Sequence, residues 1–265
     1  MVLYPLSVSC PAAVPQSARR TVSAWNAIES RQKEQAQSWW LVTQPDHAAL
    51  SGDLAANFIS TEFPRLDPDV VRGISLHDEG WARFDGDGQN GAVLQPKIEA
   101  TGVPLSFLKV APADFVRAWD ASIARAEEAG PIAAILVSSH FCRIADGRTG
   151  ANIDRQSDRQ RIEDFLRREA DRQEQRMRQQ TRSHQEVETL VDMLQFCDLL
   201  SLYLCCGSQD DVEFPQKVKG RAIWLRRDGE ACWLDPSPFS GGVSLGVKAR
   251  RWPEGDATTL PLLLF

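Results

Sequence analysis

The sequence lacks the segments that would place a protein in or across a membrane. No apolar run approaches the roughly 20 residues that a membrane-spanning helix needs. Residues 1–20 have no basic start followed by an apolar stretch, and three prolines interrupt them, so a secretory signal peptide is not expected. We therefore expect no membrane partner.

The sequence also lacks a surplus of basic residues. Its 30 Lys and Arg are outnumbered by 36 Asp and Glu, which gives a formal net charge of −6. Proteins that bind nucleic acid usually carry a basic excess, so nucleic acid is not an expected partner. A small phosphorylated molecule is compatible with this charge, because it needs only local positive charge.

The six cysteines form no CxxC pair and show no regular spacing. Most of them lie in apolar segments, which favours buried, reduced thiols over a disulfide framework. Together with the missing signal peptide, this predicts a cytoplasmic protein. A glycine-rich nucleotide loop, a nucleophile-elbow motif and an internal repeat are also missing, so none of these indicates the function.

What the sequence does contain is enough apolar material for one sizeable core. It has 265 residues, of which 43% are hydrophobic and 25% are charged. This length and composition fit one domain better than two. We expect an irregular lead-in over residues 1–18 and a single domain over residues 19–265.

Helices are indicated along much of the chain up to residue 206. Apolar residues recur at helical spacing over residues 45–58, after Pro45, and over residues 68–81, after Pro68. Further helices are predicted over residues 114–129, 132–144, 154–182 and 187–206. The third of these is dense in Arg, Gln and Glu, and it is predicted to be largely solvated.

Strands are indicated at fewer places. The aromatic and β-branched run at Trp39 predicts one strand, and two short runs on either side of Asp228-Gly229 predict a hairpin. Residues 243–249 could add a third C-terminal strand. These patterns predict a mainly α fold, all-α in its core, with a small antiparallel β-sheet from about residues 220–250 and the Trp39 strand.

Four ionisable residues lie on the apolar faces of the predicted helices. His77 lies three residues after Ile74 in the apolar stripe of its helix, and Asp78 lies beside it. His47 and Asp198 have the same inward placement on two other helices. Because a carboxylate without a partner is costly in a core, each must neutralise or gain a partner.

Two explanations fit these residues. Taken singly, each could be satisfied by a local hydrogen bond or ion pair. Taken together, two histidines and two aspartates from three helices form a donor set that suits a divalent metal. His140 ends an apolar helix and could be a further ligand, a proton donor or a core histidine bonded to a backbone carbonyl. His184 would lie roughly 21 Å from Asp198 along one continuous helix, so it is predicted to be a surface residue.

The order His47, then His77-Asp78, then a distant helical Asp198 resembles the H…HD…D signature of the HD superfamily of metal-dependent phosphohydrolases. Residues 44–47, 77–81, 138–140 and 197–199 together resemble a bacterial domain-of-unknown-function family, DUF3891, that is regarded as HD-like. The resemblance extends over most of the chain, from about residue 40 to about residue 239. It implies an HD-domain-like helical core that gathers these residues around one or two metals.

The resemblance implies a role for each residue of the signature. His47, His77, Asp78 and Asp198 would be ligands of one or two divalent ions (Mn, Fe, Ni, Zn or Mg), and His140 would be a fifth ligand, as in binuclear members. If the protein works like the relatives that hydrolyse phosphoesters, Asp78 would bridge two ions. Asp78 or Asp198 would orient the attacking water, and His140 would protonate the leaving oxygen.

The sequence departs from the common pattern at one position. A Lys often follows HDxG, whereas Trp81 stands here, which leaves a phosphate-contacting cation unassigned. Arg143 is the best single candidate for that role, because the arginines over residues 155–182 are interspersed with acidic residues and predict a solvated helix face. Residues 85–90 hint at a calcium loop, but the Gly expected at its sixth place and the Glu expected at its twelfth place are missing, so they predict a turn-rich loop.

The expected function is hydrolysis of a phosphoester or nucleotide by a metal-activated water, with a small phosphorylated molecule as the partner. One alternative is a non-catalytic sensor of a ligand or nucleotide on the HD scaffold, which Trp81 favours. Another is an HD-like di-iron oxygenase. The last is a helical protein whose buried polar groups coincide by chance.

Overall fold

A computed structural model describes residues 1–6, 21–63, 65–85, 96–149, 155–228 and 231–265 of the chain. Over these ranges, eight α-helices and an eight-stranded sheet share one large apolar core. No helix in the described ranges is both long and apolar enough to span a membrane.

The helices follow one another between the first two strands and the C-terminal strands. Their bounds are α1 (Ala24–Gln32), α2 (Gln44–Ala56), α3 (Pro68–Leu76), α4 (Ala82–Asp85), α5 (Pro112–Ala129), α6 (Pro131–Thr149), α7 (Gln156–Met177) and α8 (His184–Cys205). The six predicted helices correspond to α2, α3, α5, α6, α7 and α8, with ends shifted by a few residues. The largest difference is at α3, which is shorter than predicted.

Local sequence signals account for several helix ends. The hydroxyl of Thr43 accepts a hydrogen bond from the Asp46 backbone N–H and caps α2. Ser183 and Glu186 form a reciprocal capping box at the start of α8. Gly130 follows α5 with a φ of 129°, a conformation that favours glycine.

The predicted helix over residues 68–81 ends early. α3 stops at Leu76, His77 is its C-cap residue, and the chain passes through Asp78 into a 3₁₀ turn at Glu79–Trp81. His77 and Asp78 therefore lie at the end of a helix and not within a helical stripe. This break lets consecutive side chains reach different neighbours in the cluster described below.

The sheet is much larger than predicted and it is mixed. Its strands are β1 (Val2–Leu6), β2 (Thr21–Ser23), β3 (Ser38–Val42), β4 (Asp211–Val218), β5 (Arg221–Asp228), β6 (Ala231–Asp235), β7 (Val243–Trp252) and β8 (Ala257–Leu264), in the order β1-β3-β7-β8-β6-β5-β4-β2. β2 pairs with β4 and β6 with β8 in parallel, while the other neighbours are antiparallel. The prediction of a mainly α, all-α fold with a small antiparallel sheet is therefore wrong.

Three missed strands explain much of this difference. β1 falls within the expected irregular lead-in, yet all five of its residues pair with β3; residues 7–18 of that lead-in lie outside the described ranges. β4 contains Pro215, which lies in a β-bulge of the ladder with β5. β8 contains Pro261, which lies opposite Gly246 in the ladder with β7, and a proline within a run weakens its strand signal.

The strands that were predicted are present. The hairpin around Asp228 is β5 and β6, which pair in antiparallel register, although residues 229–230 of its turn lie outside the described ranges. The Trp39 strand is β3, and the strand over residues 243–249 is β7. β3 and β7 are neighbours in the sheet, and β3 leads directly into α2. The sheet therefore positions the start of α2, one of the helices that carries the candidate site.

Candidate metal centre

The five candidate residues lie in one buried cluster where four helices meet. At most 2% of each histidine and 8% of each aspartate in the cluster is exposed. Sequence reasoning placed these side chains toward the interior, and the structure brings all of them together. The cluster consists of His47 on α2, His77 and Asp78 after α3, His140 on α6 and Asp198 on α8.

Two carboxylates lie between the three imidazole rings. Asp78 Oδ2 is 2.9 Å from His47 Nε2 and 3.9 Å from His77 Nε2. Asp198 Oδ1 is 3.3 Å from His77 Nε2, and its Oδ2 is 3.8 Å from His140 Nε2. Nitrogen and oxygen ligands about 2.1 Å from one ion lie roughly 3.0–3.4 Å apart, so small shifts would suffice to hold a metal. Two groups of three, which share His77, could do so.

Hydrogen bonds behind the cluster fix which ring nitrogen faces inward. His77 Nδ1 is 2.8 Å from the Ile74 carbonyl and can only donate to it, so Nε2 of the neutral ring carries the lone pair. His47 Nδ1 is 2.9 Å from Ser201 Oγ, whose own proton goes to the Asp198 carbonyl. Nε2 of His47 therefore also points a lone pair inward when the ring is neutral. Metal-binding histidines are commonly held in this way.

Two serines that sequence reasoning missed support this arrangement. Ser201 follows Asp198 by three residues and Ser51 follows His47 by four, so each lies one helical turn away on the same face. The two hydroxyl oxygens are 2.8 Å apart and both residues are fully buried. A serine one turn from a buried histidine or aspartate was the available signal.

Burial and the two carboxylates together give His77 and His140 different charges. Burial opposes the charge on His77, but Asp78 and Asp198 outweigh it and raise the pKa of His77 to about 9. Burial lowers the pKa of His140 to about 4, although Asp198 attracts its proton. Burial would raise the pKa of Asp198, but the hydrogen bond and charge of His77 hold it at about 2. Near neutral pH the protein therefore combines an ionised Asp198, a charged His77 and a neutral His140.

His140 is the least satisfied member of the cluster. Its Nδ1 is buried and has no hydrogen-bond partner within the described ranges, and its Nε2 lies 3.8 Å from Asp198, beyond hydrogen-bond distance. Either neutral tautomer leaves a buried polar atom unpaired, which costs about 1–3 kcal/mol. A core histidine bonded to a backbone carbonyl does not fit this geometry, whereas Nε2, which faces Asp198, is placed to bind a metal.

Close backbone contacts bring the helices near enough to form the cluster. A Cβ atom on Gly80 would lie 2.2 Å from the Ala118 carbonyl oxygen of α5, so the turn after Asp78 requires glycine. The Gly80 N–H donates to Ser122 Oγ of α5 at 2.9 Å. The glycine of the HDxG motif therefore fixes Asp78 against the helical core.

Trp81 occupies the position at which the resemblance led us to look for a cation. It is 3% exposed and packs edge-on against Phe115, with ring centroids 5.1 Å apart, and against Phe84. Trp81 is therefore a core residue that anchors the turn after His77 and Asp78.

The remaining candidates lie outside the cluster. Arg143 is one turn beyond His140 on α6 and donates to Asp192 at 2.7 Å, so its charge is already paired. His184 is exposed at the start of α8, and the arginines of α7 are mostly exposed. Asp85, the first residue of the suggested calcium loop, is buried, and residues 86–90 lie outside the described ranges.

Comparison with known proteins identifies the family of the chain. The model of a family described as "Protein of unknown function (DUF3891)" matches residues 32–254, a range that includes the whole cluster. No match was found among curated proteins or among solved structures. Because the family match covers most of its length, the chain belongs to the DUF3891 family.

Proposed function

We propose that this protein is a metal-dependent hydrolase of the HD type that acts on a phosphoester or nucleotide. The observation that carries the proposal is the buried convergence of three histidines and two aspartates. Four of them, His47, His77, Asp78 and Asp198, occur in the order of the H…HD…D signature. The resemblance to the HD superfamily supplies the reaction type.

The donor set fits one or two divalent ions. Imidazole suits Fe, Ni and Zn, and carboxylate suits Mn and Mg, so the mixed set is compatible with each of them. A metal ion bound here would supply Lewis acidity and would lower the pKa of its bound water to about 7. The two groups of three residues share His77. The cluster could therefore hold one ion in either group, or two ions with His77 between them.

The protein's own residues hold and orient the reacting groups. With a pKa of about 2, Asp198 stays ionised over the physiological range and can accept a hydrogen bond from water. Asp78 Oδ2 faces His47 and His77 and can do the same. The low pKa of His140 favours a ligand or proton acceptor over the predicted donor to the leaving oxygen, since a donor would have to be protonated.

A non-catalytic sensor on the HD scaffold is the second candidate, and limited access favours it. Only 11% of the side chain of Asp78 and of Asp198 is exposed, which restricts the approach of a phosphoester. Arg143, the candidate phosphate contact, is paired with Asp192 and Glu188. A sensor would bind a nucleotide tightly in the presence of metal without converting it.

Metal analysis followed by an activity panel tests the proposal. Protein loaded separately with Mn, Fe, Ni, Zn or Mg should hold about one or two equivalents and release phosphate from at least one phosphomonoester or nucleotide. His77→Ala should lose both metal and turnover. His184→Ala, which removes a histidine outside the cluster, should keep both.

Other outcomes of the same panel decide between the candidates. Nucleotide binding without turnover would support the sensor, and oxygen-dependent loss of substrate without phosphate release would support a di-iron oxygenase. Metal-free protein whose melting temperature does not change on addition of any of these metals would contradict the proposed metal centre.

A further inference from the structure

A cleft of about 610 Å³ lies beside the metal cluster, and none of the five cluster residues lines it. One wall is the part of the sheet formed by β3, β7 and β8, which contributes Lys248 and Arg250. The rest of the lining comes from the start of α2, the turn after Asp78 and α4, which contribute the acids Asp46, Glu79 and Asp85. The volume falls within the roughly 300–1,000 Å³ typical of small-molecule sites.

Lys248 and Arg250 both line the cleft, and strand register places their side chains on one face of the sheet. Arg250 is directly opposite Leu41 in the β3–β7 ladder, and Leu41 lines the cleft. Cross-strand partners share a face, and so do residues two apart along a strand. Lys248 therefore presents its side chain on the same face as Arg250. Arg251, the next residue, points to the other face.

Neither cation has an acidic partner in the described ranges. No described carboxylate lies within 4.0 Å of the Lys248 ammonium or the Arg250 guanidinium, whereas Arg251 pairs with Glu254. Arg250 donates one hydrogen bond to the Gly255 carbonyl at 3.1 Å, and its Nε is buried with no described partner. Two neighbouring cations that repel each other would gain from an anion between them.

The acids that line the cleft are Asp46, Glu79 and Asp85, and Asp85 already accepts a hydrogen bond from the Gln44 backbone N–H. Asp46 is engaged by Thr43 at the start of α2, and Glu79 follows Asp78 directly. Because the cleft keeps opposite charges apart, a ligand can contact both the cations and the acids. Its anionic group would meet Lys248 and Arg250, and its hydroxyl or amino groups would donate to the carboxylates.

We propose that this cleft binds a small molecule that carries an anionic group together with hydroxyl or amino groups. A guanidinium beside an ammonium binds phosphate well and carboxylate by the same chemistry. The proposal rests on the cleft alone, so it does not depend on hydrolysis at the metal cluster. Asp46 and Glu79 precede and follow His47 and Asp78 in the chain, so the bound molecule lies next to the metal cluster.

Calorimetric titration of the full chain, kept metal-free by a chelator, tests the proposal. The probes are inorganic phosphate, AMP, succinate and uncharged adenosine. We expect AMP or succinate to bind more tightly than adenosine. The double variant Lys248→Gln, Arg250→Gln should weaken that binding by about tenfold or more, because both charge-assisted contacts are lost. Preference for AMP would identify phosphate as the bound group, and preference for succinate would identify carboxylate.

Two controls separate this cleft from the rest of the molecule. Arg251→Gln removes a charge from the same strand on the opposite face, and it should leave binding unchanged. His184→Ala should also leave binding unchanged, because His184 is exposed at the start of α8 and does not line the cleft. The proposal is overturned if no anion binds saturably, or if Arg251→Gln or His184→Ala weakens binding as much as the double variant.

Discussion

Two buried acidic groups lie on opposite sides of α6 and are neutralised in different ways. On one side, Ser138 donates to Glu169 of α7 at 2.9 Å. On the other, His140 faces Asp198 of α8. Glu169 is fully buried, yet each of its oxygens is bound, one by Ser138 and the other by Arg172 at 2.9 Å.

The cations around the two sites differ in kind. Arg168 and Arg176 add to the positive charge around Glu169, at 3.5 and 3.7 Å. In the described ranges, the ion-pair partners of Asp78 and Asp198 are histidines alone. A guanidinium stays charged at every relevant pH, whereas an imidazole can release its proton and bind a metal.

This difference separates a structural network from a site that exchanges its cation. Both oxygens of Glu169 are bound by donors of the protein itself, so this carboxylate needs no ligand. The metal cluster leaves Nδ1 of His140 without a hydrogen-bond partner in the described ranges, and it holds its carboxylates with groups that can change charge. Burial of acid alone is therefore a poor indicator of function, and the identity of the neighbouring cation is a better one.

The strongest test of this difference between the two sites is to neutralise one acid on each side of α6. Asp78→Asn should weaken metal binding by about 100-fold or more, because a ligand charge is removed. Glu169→Gln makes the same chemical change in the structural network and should leave metal binding unchanged. Competition titration with a metal-binding dye measures both. An equal loss in the two variants would show that burial, and not the histidine partners, governs metal binding.

Removal of Glu169 should destabilise the fold, whereas removal of an exposed acid on the same helix should not. Glu169→Ala removes the acceptor of Ser138 and leaves Arg176 without its buried carboxylate, which should lower the free energy of unfolding by about 3 kcal/mol. Glu174→Ala removes an exposed acid from the same helix and should change it by less than about 0.5 kcal/mol. Urea unfolding of metal-saturated protein measures the difference. Equal stability of the two variants would contradict a structural role for Glu169.

The metal cluster was accessible to sequence reasoning because its signal is local. A histidine or aspartate that shares a face with apolar neighbours three or four residues away must point inward, as His47 and Asp198 do. The inward placement predicted for His77 holds although α3 ends early, because His77 is the C-cap residue and still lies one turn from Ile74. The resemblance then supplied the reason to group these residues.

The Glu169 network and the sheet could not be predicted in the same way. Glu169 stands among Arg, Gln and Glu residues that predict a solvated face, and only the packing of α7 against α6 buries it. The sheet pairs β2 with β4 and β3 with β7, segments that are far apart in the chain. Such pairings depend on the folded topology, and no short pattern in the sequence specifies them.

The smallest expected effect, about tenfold for each pH unit, is a pH dependence that only the metal cluster should show. His77 has a pKa of about 9 in the metal-free protein, so a metal must displace its proton at neutral pH. Apparent metal affinity should therefore rise about tenfold per pH unit from pH 7 to about 9 and then level off. The same proton stabilises the metal-free fold below the ordinary histidine pKa, and that stabilisation should be lost as pH rises through about 9. Titration against a chelator of known affinity at several pH values measures the slope, which Glu169→Gln should leave unaltered. An affinity that does not vary with pH would show that metal binding displaces no proton, and it would remove His77 from the set of ligands.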